Sequence, residues 1–166
     1  KEMSEPSIES PRMKKKVISI ITIIVICAVA FGILRYLNSN YSMVLKMNWG
    51  FQMPATSKCI EIYENDTGDS FHGDGNRYHV FSYKSEDSVE SMFTWSSEEK
   101  GTLYHSCYSE AVNEWLKEIN VPDEQYPNYS QCVYWYDKQE DNSEIIVMWD
   151  SQAKKVYIAE SFIFFT

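Results

Sequence analysis

Hydrophobic residues fall along this chain in three patterns, and each predicts a different element. The first is the run 17–34, eighteen residues without a charged side chain. At about 1.5 Å of rise per residue, a helix of that length reaches roughly 27 Å, close to the hydrocarbon thickness of a bilayer. Ile18, Ile20, Ile21, Ile23, Ile24 and Ile26 point to every side of such a helix, which suits lipid better than a one-sided core. The run is read as a transmembrane helix in contact with the lipid bilayer. Arg12, Lys14, Lys15 and Lys16 precede it and only Arg35 stands directly behind it. That asymmetry places the N-terminus in the cytoplasm and the rest of the chain outside. Ala28-Val29-Ala30 has the small–x–small form of a cleavage site, yet the apolar run continues through Phe31, Ile33 and Leu34, so a retained anchor is expected. Met13-Lys14-Lys15-Lys16 looks like a bacterial start followed by a basic n-region.

The second pattern is a helical stripe. Tyr108, Ala111, Val112, Trp115, Leu116 and Ile119 fall at i, i+3, i+4, i+7, i+8 and i+11, one face of an amphipathic helix that stops before Pro122. The third is a set of short runs rich in β-branched and aromatic residues: 59–64, 77–84, 132–138, 144–150 and 155–164. Short polar links at 139–143 and 151–154 predict a meander for the last three. Residues 38–58 show little periodicity, and 85–95 fit a helical turn or a loop equally.

The order β-β-α-β-β-β predicts an α+β fold, an antiparallel sheet of about five strands with one main helix packed on a face, preceded by the transmembrane helix. The expected organisation is a cytoplasmic tail at 1–16, the membrane helix at 17–34, a stalk or lead-in at 35–58 and an extracytoplasmic domain at 59–166. Along the meander, Tyr134 and Tyr136 alternate with Val133 and Trp135, and Ile146 and Met148 with Ile145, Val147 and Trp149. Both faces are therefore apolar or aromatic. Either 38–58 and 85–101 cover the second face, or that face is open and Tyr134, Trp135 and Tyr136 are contacts for a partner.

Charge sharpens the picture. Residues 1–35 carry a net +3, which leaves nine cations against twenty-one carboxylates, a net −12, on 36–166. A domain this acidic is a poor match for nucleic acid, which needs clustered Lys and Arg. It favours basic partners or cations, or is simply well solvated.

Candidate chemistry concentrates in residues 65–79, where Asp66, Asp69, His72, Asp74 and His79 stand among glycines. Carboxylates and imidazoles of this kind can hold a hard cation or a transition metal. The EF-hand spacing is absent, since Arg77 occupies the twelfth position counted from Asp66. The alternative is a turn-rich loop whose glycines and Asx side chains serve the backbone. No cofactor is implied. His105 and Cys107, at i and i+2, do not face one way on a helix, and neither a nucleophile elbow nor a phosphate-cradling loop occurs, so no catalytic residue is assigned. Of the cysteines outside the apolar run, Cys59 and Cys132 are the best placed to pair if their strands are neighbours, with free thiols the alternative.

Phe71-His72-Gly73-Asp74-Gly75, followed by Arg77-Tyr78-His79-Val80-Phe81 and the closing Lys155-Val156-Tyr157-Ile158-Ala159-Glu160-Ser161-Phe162, resembles small uncharacterised single-pass envelope proteins of Gram-positive bacteria. The resemblance implies location and architecture only. The expected function is a membrane-anchored extracytoplasmic protein-binding module with a protein partner outside the cell, such as an immunity protein against an exported toxin or an accessory subunit of an envelope complex. An envelope hydrolase, or a cation or small-ligand sensor using residues 65–79, is the alternative.

Overall fold

The computed structural model describes residues 19–29, 32, 41–67 and 75–163. The chain divides into two compact units, 1–52 and 53–166. In the first, residues 19–29 and 32 are helical, and a second helix, α1, spans Tyr41–Trp49. Gly50 ends α1 in the left-handed region, φ 76°, and its N–H donates to the Lys46 carbonyl at 3.1 Å, a glycine stop of the common kind. The lead-in thus contains a helix that its weak periodicity did not announce. Among the described residues no helix is long and apolar enough to cross a membrane. Residues 17, 18, 30, 31, 33 and 34 of the expected span lie outside the described residues.

The second unit is α+β, as expected. Its strands are β1 (Cys59–Asp66), β2 (Gly75–Tyr83), β3 (Cys132–Lys138), β4 (Glu144–Asp150) and β5 (Lys155–Phe162), with a short α2 (Asp87–Glu90) and the main helix α3 (Tyr108–Glu118) between β2 and β3. The sheet is antiparallel in the order β1-β2-β5-β4-β3. Residues β3 to β5 form the predicted meander. Its two tight connections turn on non-glycine residues in the left-handed region, Asn142 (φ 67°) and Lys154 (φ 55°). The Asp150 carboxylate accepts the N–H groups of Gln152 and Ala153 at 2.9 and 2.8 Å, which fixes the second connection.

The predicted stripe of α3 is its buried face. Tyr108, Ala111, Val112, Trp115 and Leu116 pack with Tyr78, Val80, Tyr134, Ile146, Met148, Tyr157 and Ala159 in one cluster. At its start, Ser106 donates from both its N–H and its hydroxyl to Glu110, holding that carboxyl below the usual carboxylate range. Glu99 accepts the Ser109 N–H at 2.6 Å, satisfying an amide that the helix leaves unpaired. The stop signal is Asn120 rather than Pro122. Asn120 is left-handed, φ 55°; its N–H donates to Lys117 at 3.1 Å and that of Val121 to Leu116 at 3.0 Å. Those two bonds, with Val121 and Leu116 both buried, make a Schellman end.

The opposite face is also covered. Every residue of β4 is buried, and Phe81, Val156 and Ile158 join Ile145 and Val147 beneath that face. Segment 85–101 supplies part of the cover, with Phe93 stacked on Trp135 at 4.2 Å and Trp95 against Trp149 at 5.5 Å. Ser96 exchanges two backbone hydrogen bonds with Tyr134, at 2.9 and 2.8 Å, and so caps the outer edge of β3.

The strand order also settles the cysteines. Cys59 on β1 and Cys132 on β3 lie at opposite edges of the sheet, and both are free buried thiols. Burial pushes Cys59 from its ordinary 9.0 up to about 11 and Cys132 up to about 12, with the Asp150 charge adding to the second shift.

Two predictions follow from this packing. Trp115→Ala empties the centre of the helix–sheet interface and should cost about 3–5 kcal/mol in chemical denaturation. Lys117→Ala on the wet face should cost under about 0.5 kcal/mol, and equal effects would refute the orientation of α3. Above the ordinary thiol value of 9.0, the unfolded chain loses thiol protons that the folded chain keeps to about 11 and 12. Stability should be level up to that point and then fall. A urea midpoint that stays flat from about pH 8 to about pH 11 would contradict it.

Candidate functional site

Strand β1 is at the edge of the sheet, and one irregularity organises its chemistry. Glu61 lies opposite Phe81, and Tyr63 lies opposite Val80, so Ile62 is an extra residue in a β-bulge. In a regular strand, positions three apart face opposite ways. The bulge reverses that parity, and Glu61 and Glu64 fall on the same face. His79 is on β2 directly opposite Glu64, and its Nδ1 is 2.6 Å from Glu61 Oε1. The His79 side chain is 9% exposed and that of Glu61 33%. One ligand atom from each of Glu61, Glu64 and His79 lies within 4.8 Å of the others. A recess of about 240 Å³ opens beside them, lined by Glu64, Asn65, Asp66 and His79.

Of the five loop residues singled out from the sequence, His79 enters this cluster and Asp66 lines the recess. Asp69, His72 and Asp74 lie outside the described residues. Glu61 and Glu64 were not anticipated, because a strand pattern puts them on opposite faces and nothing in the sequence marks the bulge. Gly75, at the start of β2, has φ 118°, and a Cβ there would collide with the Thr67 side chain. That position therefore needs a glycine.

The aromatic trio of β3 is divided between the two faces. Tyr134 is 3% exposed; its hydroxyl donates to the Tyr129 carbonyl at 2.8 Å and its ring packs on Tyr108 at 5.5 Å. Tyr136, on the same face, donates to Glu144 Oε1 at 2.6 Å, and burial together with that bond pushes its hydroxyl up. Trp135 is on the other face beneath Phe93. Tyr134 does not reach the surface, and the three do not share one face as a contact patch.

A second cleft of about 370 Å³ lies at the end of α3, where Asn76, His105, Glu114, Glu118 and Glu144 converge. Its polar groups are engaged with one another or with the backbone. His105 Nε2 meets Glu114 Oε2 at 2.6 Å, Asn76 donates to Glu118, and Glu144 accepts the Leu103 N–H at 2.8 Å.

The two edges of the sheet are treated differently. Ser96 caps β3. Among the described residues no strand pairs with the outer edge of β1, and there Ile60 and Ile62 are 43% and 50% exposed. No family model, curated protein or solved structure matches the chain, so the geometry of β1 carries the functional reading.

Proposed function

We propose that the chain is a single-pass, membrane-anchored protein-binding module whose acidic α+β domain lies outside the cell and receives an extended segment of a partner along the edge of β1. The observation that carries this reading is the outer edge of β1, which no strand among the described residues pairs, with Ile60 and Ile62 exposed along it. A sheet edge presents unpaired N–H and C=O groups, and folded proteins ordinarily protect it. Addition of a partner strand satisfies those groups, while flanking side chains supply selectivity. Glu61, Glu64 and Asp66 line this strand in a region with net charge −12, so the fitting partner is a basic segment of an envelope protein. Charge of that kind speeds encounter and rejects acidic competitors.

Support for the anchor is the uncharged run 17–34 with cations on one side. Within it, Ile20, Ile21, Ile23, Ile24, Val25, Ile26 and Val29 are each more than half exposed on the helix. Apolar side chains on all sides are at home in lipid rather than water. The resemblance to Gram-positive envelope proteins agrees with this placement.

Two experiments test the reading. A cysteine at the exposed Lys100, in a chain whose half-buried Cys107 is replaced by serine, should react with a membrane-impermeant maleimide on intact cells well above the same chain without it, whose Cys59 and Cys132 are buried. Labelling that needs lysis would reverse the topology. A photo-cross-linking residue at Ile60 or Ile62 should give a discrete protein adduct in native envelopes, weakened by added salt, whereas one at Gln152 should not. Adducts at all three positions, or at none, would remove β1 as the interface.

A further inference from the structure

We propose that Glu61, Glu64 and His79 form a binding site for a single divalent transition-metal ion, with zinc as the expected occupant. Three donors on two neighbouring strands, one imidazole nitrogen and two carboxylate oxygens, already lie within 4.8 Å of one another. Metal–ligand bonds of about 2.0–2.2 Å to nitrogen and oxygen require donors gathered to about this degree. The imidazole selects the class of ion. Calcium and magnesium prefer all-oxygen shells, whereas imidazole with carboxylates suits zinc and its first-row neighbours.

The scaffold holds the donors in a graded way. His79 is buried between neighbours on a paired strand, so its ring has little freedom. Glu61 is part-exposed and Glu64 is exposed, so both carboxylates can adjust when an ion enters. The 2.6 Å contact between His79 Nδ1 and Glu61 Oε1 has to open slightly to admit a metal between the two atoms, and the freer Glu61 can make that movement. Two carboxylates and one neutral imidazole would offset the charge of a divalent ion. A fourth, tetrahedral position is left for water on the side of the 240 Å³ recess, as in zinc sites with three protein ligands. The bulge is the device that makes the set, because without Ile62 as an extra residue Glu61 would face away from Glu64 and His79.

The test uses the whole 166-residue chain in detergent, stripped of metal with a chelator and titrated with zinc chloride by calorimetry and thermal melting. One zinc per chain and a raised melting temperature are expected, since an ion that binds only the folded state stabilises it. Magnesium and calcium at the same concentration should give no shift. Glu64→Gln, at an exposed position, should leave the metal-free melting temperature unchanged. It should weaken zinc by more than about tenfold, the least that loss of even an outer-shell partner costs. Cobalt in place of zinc should show d–d absorption without a thiolate charge-transfer band. No zinc binding, binding unchanged in Glu64→Gln, a thiolate band, or an equal response to calcium would each overturn the assignment.

Discussion

The pairing of β2 with β5 is the constraint on which the rest of this domain depends. It joins residues 75–82 to residues 155–162 through eight consecutive partners and places the last described strand at the centre of the sheet. With a β-hairpin on one side of that seam and a meander on the other, β5 has neighbours on both edges and cover on both faces. Val156 through Ala159 and Glu160 are all buried. That location explains why Glu144 and Asp150 are held by hydrogen bonds, although the buried Ser143 hydroxyl has no partner among the described residues. An unpaired buried carboxylate costs far more than a neutral group. Glu144 accordingly takes up both the Tyr136 hydroxyl and the Leu103 N–H, and Asp150 takes up two turn amides.

Much of this architecture was legible in the chain, and the reasons are local. The stripe from Tyr108 to Ile119 has only one helical reading, and α3 buries those side chains. The bounds of β3 and β4 follow from β-branched and aromatic runs closed off by short polar links. The end of α3 shows where such reading stops. Pro122 is the conspicuous signal, yet Asn120 does the work through a left-handed conformation, which many asparagines have the capacity to adopt but few do. The meander's own order was legible, but the docking of β5 on β2 was not. It is a long-range choice, and it separated Cys59 from Cys132 by the full width of the sheet.

The site was legible only in its anchor. His79 stands out as an imidazole within a run that reads as a strand, and the structure pairs it with Glu64 of β1. Its partners were hidden because alternation is a parity rule, and a single inserted residue inverts parity for everything beyond it. Tyr134, Trp135 and Tyr136 show a different limit of reading a sheet from its sequence. A strand dense in aromatics reads as a contact surface when its cover is unknown. Here Tyr134 is buried against Tyr108, while Tyr136, also against Tyr108, and Trp135, against Phe93 on the other face, are half-buried.

The same bulge bears on both roles proposed for β1. Bulges at sheet edges commonly interrupt pairing and twist the edge away from a flat partner. Ile62 divides the exposed edge into 59–61 and 63–66, and neither half offers an uninterrupted template. A generic extended strand can pair with one half but loses register at the other, so the exposed isoleucines do not invite indiscriminate association. A partner that follows the kink recovers both halves and meets Glu61, Glu64 and Asp66 with its own cations. An ion held by Glu61, Glu64 and His79 would stiffen the kink and neutralise two of those carboxylates. Metal occupancy and the preference for a basic partner would then oppose each other, because both draw on the same negative charge.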